Sequence, residues 1–379
     1  MKRDEIARQI INDVMRGAYS ENGRLPSEAK LSAAFGVSRM TLRCALEELR
    51  RQGLIEKRNG AGSFLTKRAY RRSAIIGLVI PDYESYEFFA EIKKETERHA
   101  ARLGYRVELV FSAEHSHKPL EQDIRRKVRE LAANRAEGVI FRPFVAEEMI
   151  ETNKEIIDIL RHTEIPVVLI DSDITRPPNR SSFDLVAVNN INAGRLIADH
   201  LHGSGYRRIA FLMQENKSNA NANWSNRLFG LAGELALLGC EESVRQLYFA
   251  PNDACELGRL LRSRSKPEAI VCGNDEQAMK LIDTLSGLGK RVPEDIAVVG
   301  FDDIAASRLS NPPITTISQP VRKLAATAFK SLLARIRYPN NDPREILLDA
   351  PLIARRSSEN SQYRLRKQIR SDKARRQTD

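Results

Sequence analysis

From Ser73 onward, short apolar runs alternate with stretches of helical period. The runs are Ala74–Ile80, Val107–Phe111, Gly138–Phe141, Val167–Ile170, Leu185–Val188, Ile209–Met213, Ala269–Cys272 and Ile296–Phe301. Such runs, alternating with helical patterns of ~10–15 residues, predict parallel sheets built of βαβ units. The first seventy residues carry a different pattern. Ile6, Ile10 and Val14 recur at helical spacing, and Gly17 ends that helix. Pro26-Ser27-Glu28 opens a short second helix, Ala29 to Phe35, which Gly36 stops. Ser38 is placed to cap a third helix with the buried stripe Leu42, Ala45, Leu46 and Leu49, ended by Gly53. Leu54–Glu56 and Ser63–Leu65 then read as two short strands around Lys57-Arg58-Asn59-Gly60-Ala61-Gly62.

Charge separates these two regions. The formal net charge of the 379 residues is +11, but residues 1–72 carry +8, residues 355–379 carry +6, and the stretch between carries −3. A basic head on a near-neutral body fits a polyanion partner for the head. The third helix has the makings of a reading element, because Arg39, Thr41 and Arg43 lie near its start and largely off the buried stripe. Arg39 and Arg43, four residues apart, share a face, and arginine reads guanine with a bidentate pair of hydrogen bonds. Lys57 and Arg58 would face phosphates from the hairpin, while Gly60 and Gly62 permit close approach.

Four pieces of this head, Leu25-Pro26-Ser27-Glu28, Phe35 to Arg43 (FGVSRMTLR), Gly53-Leu54-Ile55 and Gly60-Ala61-Gly62-Ser63-Phe64, together resemble the GntR family of bacterial regulators. The likeness covers nearly all of residues 3–66. It implies a winged helix-turn-helix in which Ser27, Glu28, Ser38, Arg39, Thr41, Arg43 and the Gly60–Gly62 wing touch double-stranded operator DNA. Read from the residues alone, Ser38 and Thr41 could only cap the helix, and Glu28 could only complement its dipole.

The body places polar residues just after its strands: Pro81-Asp82-Tyr83, Arg142-Pro143, Asp171-Ser172-Asp173, Asn274-Asp275 and Asp302-Asp303. Open α/β sheets bind ligands beyond the carboxyl ends of their strands, so these residues predict a pocket rich in donors and acceptors, suited to a sugar-like effector. Asp275 and Asp303 are expected only to cap helices. Arg227 stands near the start of a helix, Trp224–Leu238, where a cation opposes the macrodipole; this marks it as a functional candidate rather than an ordinary surface arginine.

Gly194–Ile209 (GRLIADHLHGSGYRRI), Arg227-Leu228-Phe229-Gly230, Cys272-Gly273-Asn274-Asp275, Val292–Asp303 (VPEDIAVVGFDD) and Thr315–Pro320 (TTISQP) resemble the LacI/GalR ligand domain. That resemblance spans about residues 73–357 and implies a two-lobed, periplasmic-binding-protein-like fold whose cleft holds the effector with Arg227, Asn274, Asp302 and Gln319. Tyr83, Tyr86 and Phe88 are aromatic candidates, with Arg142 and Asp171 completing the set. A GntR head on a LacI-type body resembles the arabinose-repressor (AraR) type of chimera. The expected organisation is α/β overall: a winged head over 1–68, a linker over 69–74, a ligand domain over 75–357 and a basic, disordered tail over 358–379.

Other classes are less well supported. Cys44, Cys240, Cys255 and Cys272 show no C-x-x-C spacing and are expected to be small buried residues; no metal or cofactor is expected. His115-x-His117 and His200-x-His202 lack further ligands at recognisable spacing. No G-x-S-x-G, H-E-x-x-H or Walker-type loop supports an enzyme acting on a carbohydrate. No apolar run nears the ~18 residues of a membrane span, and the N-terminus has no apolar signal core. The expectation is a cytoplasmic homodimeric repressor without a membrane partner, with a cytoplasmic sugar-binding protein or an enzyme acting on a small carbohydrate as the alternative.

Overall fold

The computed structural model describes residues 6, 9–10, 24–51, 53–58, 62–66, 75–80, 87–103, 105–111, 120–145, 149–175, 179–213, 222–240 and 244–360. Val14, Gly17, Gly60, Tyr83, Tyr86, His115, His117, the expected linker and the tail from residue 361 lie outside them.

In the head, α1 (Glu28–Phe35) and α2 (Arg39–Arg51) are followed by the antiparallel hairpin of β1 (Ile55–Arg58) and β2 (Gly62–Leu65), which pairs Ile55 with Leu65 and Arg58 with Gly62. Gly36 separates the helices at φ 62°, a left-handed conformation that costs glycine little. The expected stripe is the core: Leu42, Ala45, Leu46 and Leu49 pack with Ile6, Ile10, Leu31, Leu54, Ile55 and Leu65. The first strand runs two residues further than the pattern indicated, so Lys57 and Arg58 are paired strand residues rather than hairpin-tip residues.

The body has two lobes. Lobe I is a six-stranded, wholly parallel sheet of order β13-β7-β6-β5-β3-β4. Its strands are β3 (Ile75–Ile80), β4 (Arg106–Phe111), β5 (Gly138–Phe141), β6 (Val167–Ile170), β7 (Asp184–Val188) and β13 (Glu345–Leu348). The helices α3 (Glu87–Arg102), α4 (Leu120–Ala133), α5 (Ile150–His162) and α11 (Val321–Arg337) belong to it. Lobe II is a four-stranded parallel sheet of order β11-β10-β8-β9, with β8 (Ile209–Leu212), β9 (Val244–Leu247), β10 (Ala269–Cys272) and β11 (Ala297–Val299). Its helices are α6 (Asn190–Gly203), α7 (Ala222–Leu237), α8 (Ala254–Arg262), α9 (Asp275–Gly287) and the short α10 (Ala305–Leu309). A two-stranded ribbon, β12 (Thr316–Ile317) against β14 (Leu352–Ile353), lies beside β11. Successive strand side chains point to opposite faces. In β3, Ile76, Leu78 and Ile80 therefore enter one core and Val79 the other.

Several expectations need correction. The strand expected over Ile296–Phe301 stops at Val299, because the chain bends through Asp302 and Asp303, both at positive φ (118° and 61°). Ser358, expected to start the tail, is fully buried in a 3₁₀ turn, and its hydroxyl lies 2.6 Å from that of Thr315 and 2.7 Å from His200 Nε2. Cys44 and Cys255 are exposed rather than buried.

The chain passes between the lobes three times, after β7, β12 and β13. Backbone hydrogen bonds tie the crossings together: Asn189 N donates to Leu348 O and Ser318 N to Pro351 O, each at 2.9 Å. α6 and α7 meet through two glycines. A Cβ on Gly194 would stand 2.1 Å from Arg227 O, and one on Gly230 would stand 1.9 Å from Ile191 O. This backbone-to-backbone approach sets the position of α7, and with it Arg227. Gly230→Ala is expected to destabilise by ~1–3 kcal/mol or more, because neither neighbour is a flexible side chain. Gly233→Ala, three residues along the same helix with open space around it, should instead be neutral or stabilising by up to ~1 kcal/mol. The melting temperature is expected to fall in Gly230→Ala and to hold or rise in Gly233→Ala.

Candidate functional site

The first site is the exposed face of the head. Ser27 caps α1, its Oγ accepting from Lys30 N at 3.4 Å, and Ser38 caps the first turn of α2, its Oγ accepting from Thr41 N at 3.1 Å. The Ser38 and Thr41 hydroxyls lie 2.8 Å apart. Both residues thus have structural employment, and Thr41 is half-buried. Arg39 and Arg43 are exposed. Glu28 does more than complement a dipole: its Oε2 accepts from Arg43 Nη2 at 3.3 Å, holding the guanidinium near the start of α2. Ser27, Glu28, Lys57 and Gly62 line one concavity of about 1120 Å³, together with Arg24 and Lys30. Lys57 is exposed on one face of its strand. Arg58 is held by Glu56 at 2.7 Å and stacks 4.4 Å over the Phe64 ring. Arg24, which the sequence reading passed over, bridges to Phe64 and stands beside Gly62.

The second site lies between the lobes at the carboxyl ends of their strands. Arg227 is its centre. Far from being a surface arginine, it is 4% exposed. Its Nε donates to Asn190 Oδ1 at 2.8 Å, its Nη1 donates to the Gly273 carbonyl, and its guanidinium lies 3.3 Å over the Phe301 ring. Burial pulls its pKa down to about 10, against the attraction of Asp302, Asp171 and Asp275. Asp302 receives Gln319 Nε2 at 2.5 Å. Burial pushes its carboxyl up to about 8, although Arg227 pulls the other way. The site therefore holds a charged guanidinium beside a carboxyl that is mostly protonated at neutral pH.

Lobe I contributes Arg142 and Asp171, both buried and joined Nε to Oδ2 at 3.0 Å. Asp171, at φ 70°, also accepts from Asn223 Nδ2 of lobe II at 3.2 Å, so this pair spans the cleft. Arg142 further stacks 5.2 Å over Phe89. Phe88 lines a cavity of about 560 Å³ with Asp302 and Gln319. Glu87 crosses between lobes as well, its Oε2 accepting from Ala305 N at 2.9 Å. Asn274 caps α9 with its side-chain oxygen, accepting from Gln277 N at 2.8 Å.

Asp275 and Asp303 serve the scaffold. Asp275 accepts from Thr316 Oγ1 at 2.7 Å and Ile304 N at 3.1 Å, and burial raises its pKa to about 6. Asp303 holds Arg308 at 2.9 Å and Ser318 at 2.8 Å, and Arg355 at 2.5 Å. Asn190, Asn223 and Phe89 were missed from the sequence. Asn190 stands two residues after a strand end, a signal already used for other residues. Asn223 gives none, since its role depends on α7 meeting the opposite lobe. Among the described residues no group of histidine, cysteine and carboxylate side chains could hold a metal ion. No helix among them is long and apolar enough to cross a membrane.

Comparison with known proteins identifies the family of the chain. Residues 2–65 match the bacterial regulatory proteins of the gntR family, and residues 198–358 match the periplasmic binding protein-like domain. The HTH-type transcriptional repressor PurR of Haemophilus influenzae is 32% identical over 267 residues, covering 69% of this chain and 74% of that protein. The arabinose metabolism transcriptional repressor of Halalkalibacterium halodurans is 27% identical over 376 residues, 94% of this chain and 96% of that one. A crystal structure of a LacI family transcriptional regulator from Enterococcus faecalis with bound ribose superimposes with a TM-score of 0.60 at 26% identity, covering 75% of this chain and 98% of that one. The chain belongs to the DNA-binding transcriptional repressors, with a GntR-family winged helix-turn-helix followed by a LacI-like, periplasmic-binding-protein-like domain.

Proposed function

We propose that this repressor grips a pseudo-palindromic operator as a homodimer in the cytoplasm, and that a sugar-like polyol bound between the lobes changes its operator affinity. The observation that carries the effector half is the convergence of Arg142, Asp171, Asn223, Arg227, Asp302 and Gln319 from both lobes on one cleft. Each offers groups that pair with hydroxyls, the amide of Asn274 stands at the neighbouring strand end, and Phe88 or Phe89 can cover an apolar sugar face. The ribose bound by the Enterococcus regulator supports the ligand class. A winged head covers only a few base pairs, so two heads on one face of the duplex supply specificity. None of the converging groups is placed as a nucleophile with a general base, which favours a sensor over an enzyme.

For the head, Arg39→Ala and Arg43→Ala are each expected to weaken operator binding by ~1–3 kcal/mol and to relax base preference. Lys57→Ala should weaken all sequences alike and flatten the salt dependence. Equal losses on operator and random duplexes for both classes would reject α2 as the reading helix.

For the cleft, titration calorimetry against a sugar panel, with and without operator, is expected to show reciprocal coupling of ~1–3 kcal/mol. Asp302→Ala should lose effector affinity. Unchanged affinity in that variant would remove Asp302 from the site, and identical affinities with and without operator would remove the allosteric link.

The pH dependence has a definite sign. A hydroxyl donating to Asp302 favours the ionised carboxylate, whose pKa of about 8 leaves it mostly protonated at pH 7. Binding then releases a proton, and affinity should rise with pH towards and through 8, by no more than about tenfold per unit. Asp302→Asn, an amide tolerated at positive φ, should give a flat profile. A profile that is flat or falling in the wild type would exclude the ionised carboxylate as the acceptor.

A further inference from the structure

Met40 is the second residue of α2 and is 71% exposed. The surface around it is otherwise that of a polar helix: Arg39, Arg43, Glu47, Arg50 and Arg51 are all exposed. At 3.6 residues per turn, Met40 points away from the buried stripe of Leu42, Ala45, Leu46 and Leu49. It shares a face with Arg43 and Cys44, three and four residues on, both exposed. A side chain in this position contributes nothing to the head's core.

The first turn of a reading helix is the part that meets base edges in the major groove. There each base pair presents donors and acceptors, and thymine alone adds a C5 methyl group. A thioether tip set against a polar base edge would leave that edge without a hydrogen-bonding partner, at a cost. Set against the methyl, it buries apolar surface on both sides, and the unbranched methionine chain can adjust its reach. Glu28 already fixes Arg43 one turn away at 3.3 Å, so the two neighbouring side chains offer complementary chemistries: a bidentate donor and an apolar tip.

We propose that Met40 is a specificity-determining residue that reads a thymine methyl in each operator half-site, close to the base read by Arg43. This rests on the operator-binding head described above, and the test separates the two. The full chain is first used to select its sites from random-sequence duplexes; failure to select any would count against the head, not against Met40. In the selected duplex each thymine is then exchanged in turn for uracil, which lacks only the methyl group. At one position per half-site, uracil is expected to weaken wild-type binding about fourfold, the equivalent of ~0.8 kcal/mol for one buried methyl. Met40→Ala, which removes the contact in both half-sites, should bind the thymine site about sixteenfold more weakly and treat thymine and uracil alike. Met40→Leu, which keeps an apolar tip, should still distinguish them. Unchanged melting temperature and random-duplex affinity of both variants check that the head stays folded. The proposal is overturned if no thymine is sensitive in the wild type, or if uracil costs Met40→Ala as much as it costs the wild type.

Discussion

Much of the body's architecture is organised around one buried cation. Removing a guanidinium from water is expensive unless fixed partners replace its hydration. Arg227 finds those partners in pieces brought from far apart in the chain: the Asn190 amide after the first lobe crossing, the Gly273 carbonyl at the end of β10, and the Phe301 ring after β11. Asp171 and Asp275, joined by Asp302 when it ionises, supply the opposing field. Gly194 and Gly230 let α6 and α7 approach closely enough for the cation to reach this nest. The same burial holds Asp302 near neutrality, so a change of protonation and a change of ligand act on one cluster.

Much of this was legible in the sequence, and the exceptions have physical reasons. All eight apolar runs became strands, and those buried on both faces of a parallel sheet are apolar throughout; β4, at an edge, keeps Glu108 and is only partly buried. β9 (VRQL) and β13 (EILL) escaped because they are edge strands with exposed positions, which break up such runs. Asp302 was found through its strand end, Arg227 through its place near a helix start, and both, with Gln319, through family likeness. Asn223 and Phe89 were not, because each gains its role from a neighbour that only the fold supplies. The Glu28–Arg43 pair, fifteen residues apart, was equally invisible to local pattern.

The head divides its labour in a way the charge count did not show. Its charge of +8 over residues 1–72 fits a polyanion partner without telling which cations are restrained. In the fold, Arg43 and Arg58 are each held by an acidic neighbour, while Arg39 and Lys57 stand exposed. Restrained guanidiniums lose less freedom when they meet a target, and that favours recognition over mere adhesion.

The threefold passage of the chain between lobes also bears on how the protein is made. β8 to β11, with α7, α8 and α9, come from the continuous stretch 209–299, whereas lobe I waits for α11 and β13, the latter paired with β7 some 160 residues earlier. As the chain leaves the ribosome, the sheet of lobe II is complete while one edge of lobe I still stands open. Lobe II takes late pieces too, since β14 pairs with β12 and Ser357 donates to the Val298 carbonyl of β11. Both halves of the effector cleft are thus completed by one late segment, residues 345–358.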